Sequence, residues 1–189
     1  MKHALLILCI IGALGANAQA KPFMLTGPAD WELEQFPLPP GFAPAIPYKG
    51  LEELRFAPGM FKKDAPDYFT YAFVARLDNA KSVQQADIRN YLLMYFKGLC
   101  SKTAADRKLP PVDTSAIKAT IGKRDGLYDI TLSAFGVFAD GAPVTLNMEA
   151  KVMTDGQKVY LLFIVSPQPK SNAVWQQLKK IQADAAIPH

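Results

Sequence analysis

Carboxylates are the main reserve of acid–base chemistry in this chain. Glu32, Glu34, Glu52, Glu53, Asp64 and Asp67 crowd its first half, and two such groups held roughly 5 to 9 Å apart are the pairing that glycoside hydrolysis uses. Their local setting points the other way. Glu32 and Glu34 alternate about Leu33 as on the wet side of an edge strand, and Glu52 and Glu53 read as part of a solvated turn. Imidazole chemistry has little to work with, because the two histidines, His3 and His189, sit at the ends of the chain. Neither is placed to serve as the base of a Ser-His-Asp or Cys-His mechanism. With Cys9 and Cys100 as the two cysteines, zinc and most transition-metal sites lack ligands. Gly-rich nucleotide loops, the Gly-x-Ser-x-Gly elbow and the acidic calcium loop do not occur. The sequence therefore predicts no catalytic residue, no cofactor and no metal.

Binding chemistry is better represented. Arg55 stands between an apolar strand and a Pro-Gly turn in Arg55-Phe56-Ala57-Pro58-Gly59-Met60-Phe61. Its guanidinium is suited either to a bidentate grip on a carboxylate or phosphate, or to pinning its own loop. Trp31, Tyr48, Tyr68 and Tyr71 offer stacking faces for a sugar or lipid, although aromatics at strand spacing pack in cores. These five are the candidate ligand-binding residues. Arg76 and Lys151 read as decoration of a solvated face, and Cys100 as a small buried hydrophobe without chemistry.

The elements that must position these residues follow from composition and pattern. The chain has 189 residues, of which 50% are hydrophobic and 20% charged, enough apolar area for a core and too little charge for disorder. Its 21 Lys and Arg against 17 Asp and Glu leave +4, a small, spread excess that argues against nucleic acid as a partner. Met1-Lys2-His3, the apolar run that follows, and the small residues of Ala16-Asn17-Ala18-Gln19-Ala20 make residues 1–20 a signal peptide cleaved after Ala18 or Ala20. Cys9 leaves with it. The run is shorter than the roughly 18 to 20 residues that span a bilayer, so no membrane insertion is expected after cleavage. The expected protein is secreted or periplasmic and monomeric.

Residues 21–50 read as a proline-rich strap packed on a single domain of residues 51–189, because Pro22, Pro28, Pro37, Pro39, Pro40, Pro44 and Pro47 alternate with aromatic and aliphatic side chains. One edge strand is expected at 31–36, a turn of helix running into a strand at 50–56, and a strand at 68–77. Ser82-Val83-Gln84-Gln85 reads as a capping box opening a helix with the stripe Ile88, Tyr91, Leu92, Tyr95, Phe96 and Leu99, stopped at Gly98. A loop is expected at 103–113. Asp125-Gly126, Asp140-Gly141 and Asp155-Gly156, fifteen residues apart, supply the positive φ of hairpin turns and predict a four-stranded antiparallel meander over 116–123, 127–138, 143–153 and 158–166. The last of these strands is apolar on both faces, with the strap and the 68–77 strand as its covers. A closing helix capped by Ser171 or Asn172 carries Val174, Trp175, Leu178 and Ile181. The fold class is α+β, with both helices packed on one face of the sheet.

The segments Phe36-Pro37-Leu38-Pro39-Pro40-Gly41-Phe42-Ala43-Pro44 and Arg55-Phe56-Ala57-Pro58-Gly59-Met60-Phe61 resemble those of exported bacterial proteins of unknown function. The resemblance covers about the first third of the mature chain and implies no activity. The order of elements in the second half is similar to the Mog1/PsbP-type sandwich, a likeness of fold that does not fix function. The expected function is that of a non-enzymatic binding or accessory protein of the bacterial cell envelope, its partner an envelope protein or a small ligand. The alternatives are a carboxylate-dependent hydrolase acting on an envelope glycan and a carrier of a small apolar ligand between sheet and helix.

Overall fold

Two of the Asp-Gly pairs close tight hairpins, and around them the C-terminal half of the chain folds as a meander. The computed structural model describes residues 23–187, so the expected signal peptide and His189 lie outside the described residues. Its strands are β1 (Glu32–Leu38), β2 (Gly50–Phe56), β3 (Tyr71–Leu77), β4 (Lys118–Arg124), β5 (Leu127–Phe135), β6 (Pro143–Asp155) and β7 (Lys158–Ser166). Helix α1 (Gln85–Asp106) stands between β3 and β4, and α2 (Val174–Ala183) follows β7. All strands join one antiparallel sheet in the order β1-β2-β3-β7-β6-β5-β4. Two meanders thus meet where β3 pairs with β7.

The two helices lie on opposite faces, which corrects the expectation that both pack on one. Tyr71, Phe73, Leu161, Phe163 and Val165 join Ile88, Tyr91, Leu92 and Phe96 of α1 in one core. Their sheet neighbours Ala72, Val74, Tyr160, Leu162 and Ile164 join Val174, Trp175, Leu178 and Ile181 of α2 in the other. Alternation along β3 and β7 sends successive side chains to opposite faces, so the runs Tyr71 to Ala75 and Val159 to Val165 are apolar because both faces are covered there. The second face of β7 is covered by α2 and by Met24, Leu25 and Trp31, whereas β3 lies beside β7 rather than over it. The strap divides its apolar residues between the cores, giving Met24, Leu25 and Trp31 to the α2 side and Leu38, Ala43 and Ile46 to the α1 side.

Other local readings shift for identifiable reasons. Residues 50–56 are strand throughout, without the expected helical turn. Helix α1 is capped by Gln84, which exchanges hydrogen bonds with Asp87, rather than by Ser82. It passes through Gly98 without stopping, because Cys100 and Ala104 continue the buried stripe for two further turns. Gly98 answers a packing demand instead: a Cβ there would sit 2.0 Å from the Phe42 carbonyl oxygen, so the strap lies directly on the helix backbone. Strand β5 ends at Phe135, three residues early, and the chain returns through a longer loop closed by Gly136 N–H to Ala142 O (2.8 Å) and Gly141 N–H to Gly136 O (3.0 Å).

Gly98→Ala tests the strap contact. On a free helix surface the change would stabilise by about 1 kcal/mol; under the strap it should cost roughly 1 to 3 kcal/mol in a urea denaturation series, the usual price of overpacking. A stabilised variant would mean that Phe42 does not rest on α1.

Candidate functional site

Strand β2 carries two adjacent carboxylates, and the pleat sends them to opposite faces. Both are fully buried, which corrects their reading as a solvated turn. Glu52 faces α1, where Tyr91 donates to its Oε2 and Tyr95 to its Oε1, each at 2.8 Å. Glu53 faces the other way and accepts from Met24 N–H (3.0 Å), Leu25 N–H (2.7 Å) and Gln35 Nε2 (2.7 Å). Burial pushes the Glu52 carboxyl up to about 7 against the opposing pull of its two tyrosine hydrogen bonds.

Beyond Tyr95, between α1, the strap and the outer end of β1–β3, lies a cavity of about 200 Å³. Phe36 and Phe42 of the strap line it, with Leu54, Phe56, Met60, Phe61, Phe69, Tyr95, Leu99 and Phe138. Both of the motifs singled out in the sequence therefore end on one cavity. An apolar space of roughly 150 Å³ is already large enough to take a benzene-sized molecule. Two polar side chains reach it, Tyr71 from the wall and Glu34. The Tyr71 hydroxyl is buried and has no hydrogen-bond partner, and such an orphaned donor costs on the order of 1 to 3 kcal/mol.

The 57–70 loop that supplies Met60, Phe61 and Phe69 is tightly held. Gly59 N–H donates to Asp67 Oδ2 at 2.8 Å, and a Cβ at Gly59 would fall 1.9 Å from Asp67 Oδ1, so only glycine fits the turn. Phe69 adopts φ 52°, a left-handed conformation uncommon for a bulky residue, with its N–H bonded to Met60 O at 3.0 Å. That conformation ends the extended chain, which is why the strand expected from residue 68 begins at Tyr71. Strain of this kind, about 1 to 3 kcal/mol, gathers at ligand clamps and other functional segments. The Lys63–Asp140 ion pair ties this loop to the β5–β6 loop that carries Phe138.

The five sequence-expected binding residues do not form one site. Tyr71 alone lines the cavity. Tyr68 lies in the adjoining loop, its hydroxyl over Gly136. Tyr48 is half-buried beside Tyr91, with ring centroids 6.4 Å apart. Trp31 is buried in the α2-side core. Arg55 alternates with Leu54 and Phe56, so it leaves the face opposite the cavity, where Nε donates to Leu25 O at 3.1 Å and the guanidinium lies 5.4 Å from the Phe23 ring. It pins the start of the strap. Cys100 is buried, and burial pushes its thiol up to about 11, leaving it protonated at neutral pH. Among the described residues no three His, Cys, Asp or Glu side chains are grouped to hold a metal ion, and no helix is long and apolar enough to cross a membrane.

No family model matches the sequence, and no curated protein matches it. Among solved structures the chain is similar to the solution structure of cyanobacterial PsbP (CyanoP) from Synechocystis sp. PCC 6803, at 11% identity over 92% of this chain and 96% of that one, with a TM-score of 0.27. A likeness of that size carries no argument about function, so the chemistry of the site rests on its own geometry.

Glu52 makes stability depend on pH in a definite direction. The folded chain binds this proton more tightly than the unfolded chain, whose carboxyl titrates near 4.5. The contribution is complete below the unfolded value and is lost as pH rises through about 7, a change of about 3 kcal/mol. Thermal melts of the wild type should therefore show a lower melting temperature near pH 8 than near pH 5.5. Glu52→Gln, which keeps an acceptor for a tyrosine but cannot ionise, should flatten that difference. A slope unchanged in the variant would place the titrating group elsewhere.

Proposed function

We propose that the chain is an exported, non-enzymatic binding protein of the bacterial cell envelope that holds a small apolar ligand in the cavity beneath the strap. The observation that carries this reading is a pocket of aromatic and aliphatic side chains reached by two polar ones, Glu34 and Tyr71, the latter with a buried hydroxyl that has no partner. A buried donor left without a partner is expensive, and a ligand with one hydrogen-bonding atom and an apolar body would satisfy it. Pockets that take small molecules share this design, apolar walls with few placed polar groups. The signal peptide expected at residues 1–20 supports export. The hydrolase alternative needs two carboxyl groups open to one cleft; Glu34 reaches the cavity, whereas Glu52 lies behind Tyr95 with both oxygens engaged.

The test is a solution NMR titration of the mature protein with 4-methylphenol and with toluene. Both should give saturable shifts confined to Phe56, Met60, Phe69, Tyr71 and Phe138, with the phenol bound more tightly. Tyr71→Phe should remove that preference, up to about tenfold in affinity, while melting no lower than the wild type, because it deletes an unsatisfied hydroxyl. Absence of saturable shifts with either compound would rule the cavity out as a ligand site.

A further inference from the structure

The cavity does not end at its aromatic walls. Phe36, Phe42 and Glu34 also line a wider groove of about 450 Å³, which runs between the Pro39-Pro40-Gly41 turn of the strap and the last turns of α1. Glu34 therefore stands where the inner apolar space joins the wider groove. Its carboxylate forms no hydrogen bond or ion pair among the described residues, and it is exposed. The cation nearest in the groove, Lys102, is already paired with Asp106 one helical turn on, at 2.6 Å. No basic side chain lines the cavity itself.

The field at this junction is negative. Glu32 and Glu34 occupy alternate positions of β1 on the same face as Glu52 of β2, and each raises the proton affinity of its neighbour: Glu34 is held above its ordinary range by its apolar surroundings and by Glu32, and Glu52 is raised in turn by Glu34. Phe36 and Phe42 line both spaces beside Glu34, and Phe61 lines the inner one. A free carboxylate beside aromatic rings is a setting that attracts an ammonium group and repels an anion.

Resting on the ligand cavity proposed above, the geometry points to a small amphipathic amine as the ligand, its single-ring or short-chain apolar body against Tyr71 and its protonated amine at Glu34 in the groove. The size of the inner space limits the body, and the free carboxylate selects the head.

Isothermal titration of the mature protein with 2-phenylethylamine, 2-phenylethanol and 3-phenylpropanoate separates this inference from the reading it rests on. The three share a ring and differ in the charge of the head. The amine should bind about tenfold more tightly than the alcohol, and the carboxylate least well. Glu34→Gln should bring the amine down to the affinity of the alcohol; since Glu34 is exposed and makes no hydrogen bond or ion pair, the variant should fold as the wild type does. Equal binding of amine and alcohol, or a preference that survives Glu34→Gln, overturns the amine and leaves the cavity standing. If none of the three binds, and 4-methylphenol does not bind either, both readings fall.

Discussion

Two successive glutamates of one strand hold the two sides of this molecule together. Burying a carboxyl group costs several kcal/mol unless its oxygens are satisfied, and β2 buries Glu52 and Glu53 side by side on opposite faces. Each meets the cost with donors from a distant part of the chain. Glu52 takes two tyrosine hydroxyls from successive turns of α1, and Glu53 takes two backbone N–H groups from the start of the strap and the Gln35 amide from β1. Loss of either set would strand a buried carboxyl, so strap and helix are both obliged to dock on β2. Arg55, two residues after Glu53 and so on the same face, adds its bond to Leu25 O on the strap side.

That obligation shapes the cavity. Tyr95 is fixed by Glu52 and presents its ring to the cavity, stacking on Phe73 with centroids 5.8 Å apart and meeting Phe42 edge-on at 4.9 Å. Phe42 in turn is set by the close approach of its carbonyl to Gly98. The remaining wall comes from a loop kept in place by the Gly59 turn and the left-handed Phe69. A space bounded by elements this firmly held does not close by collapse, which is how it keeps both its volume and an unpaired hydroxyl. The proposed ligand would fill the apolar space beside Tyr71 and bring a counter-charge to Glu34.

Much of the frame was legible in the sequence because its signals are local. The Asp-Gly turns needed only positive φ, which Asp125, Gly126, Gly141 and Gly156 adopt, and the stripe Val174, Trp175, Leu178, Ile181 needed only helical periodicity. The fold class, α+β with a C-terminal meander, followed from these. What the sequence concealed depends on distant partners. Adjacent glutamates in a short segment read as solvated, and nothing nearby announces that Tyr91, Tyr95 and the backbone of residues 24–25 will come to meet them. Gly98 reads as a helix stop, since the strap that lies on it is more than fifty residues earlier in the chain. The placement of the helices on opposite faces was hidden for the same reason, although the two-sided apolar character of β7 was its visible trace. Of the candidate site, Tyr71 was in view as an aromatic, but its missing partner is a property of the packed structure alone.

The central claim, that Glu52 is a buried carboxyl clasped by two tyrosines and organises the wall of the cavity, is tested most directly by its own titration. Carbon-13 NMR of the glutamate side-chain carboxyls, with Glu52→Gln to assign the resonance, should show a Glu52 midpoint near 7. A Glu52 midpoint at the ordinary value of 4.5 would mean that water reaches this carboxyl, and would contradict the account of both the clasp and the cavity built against it.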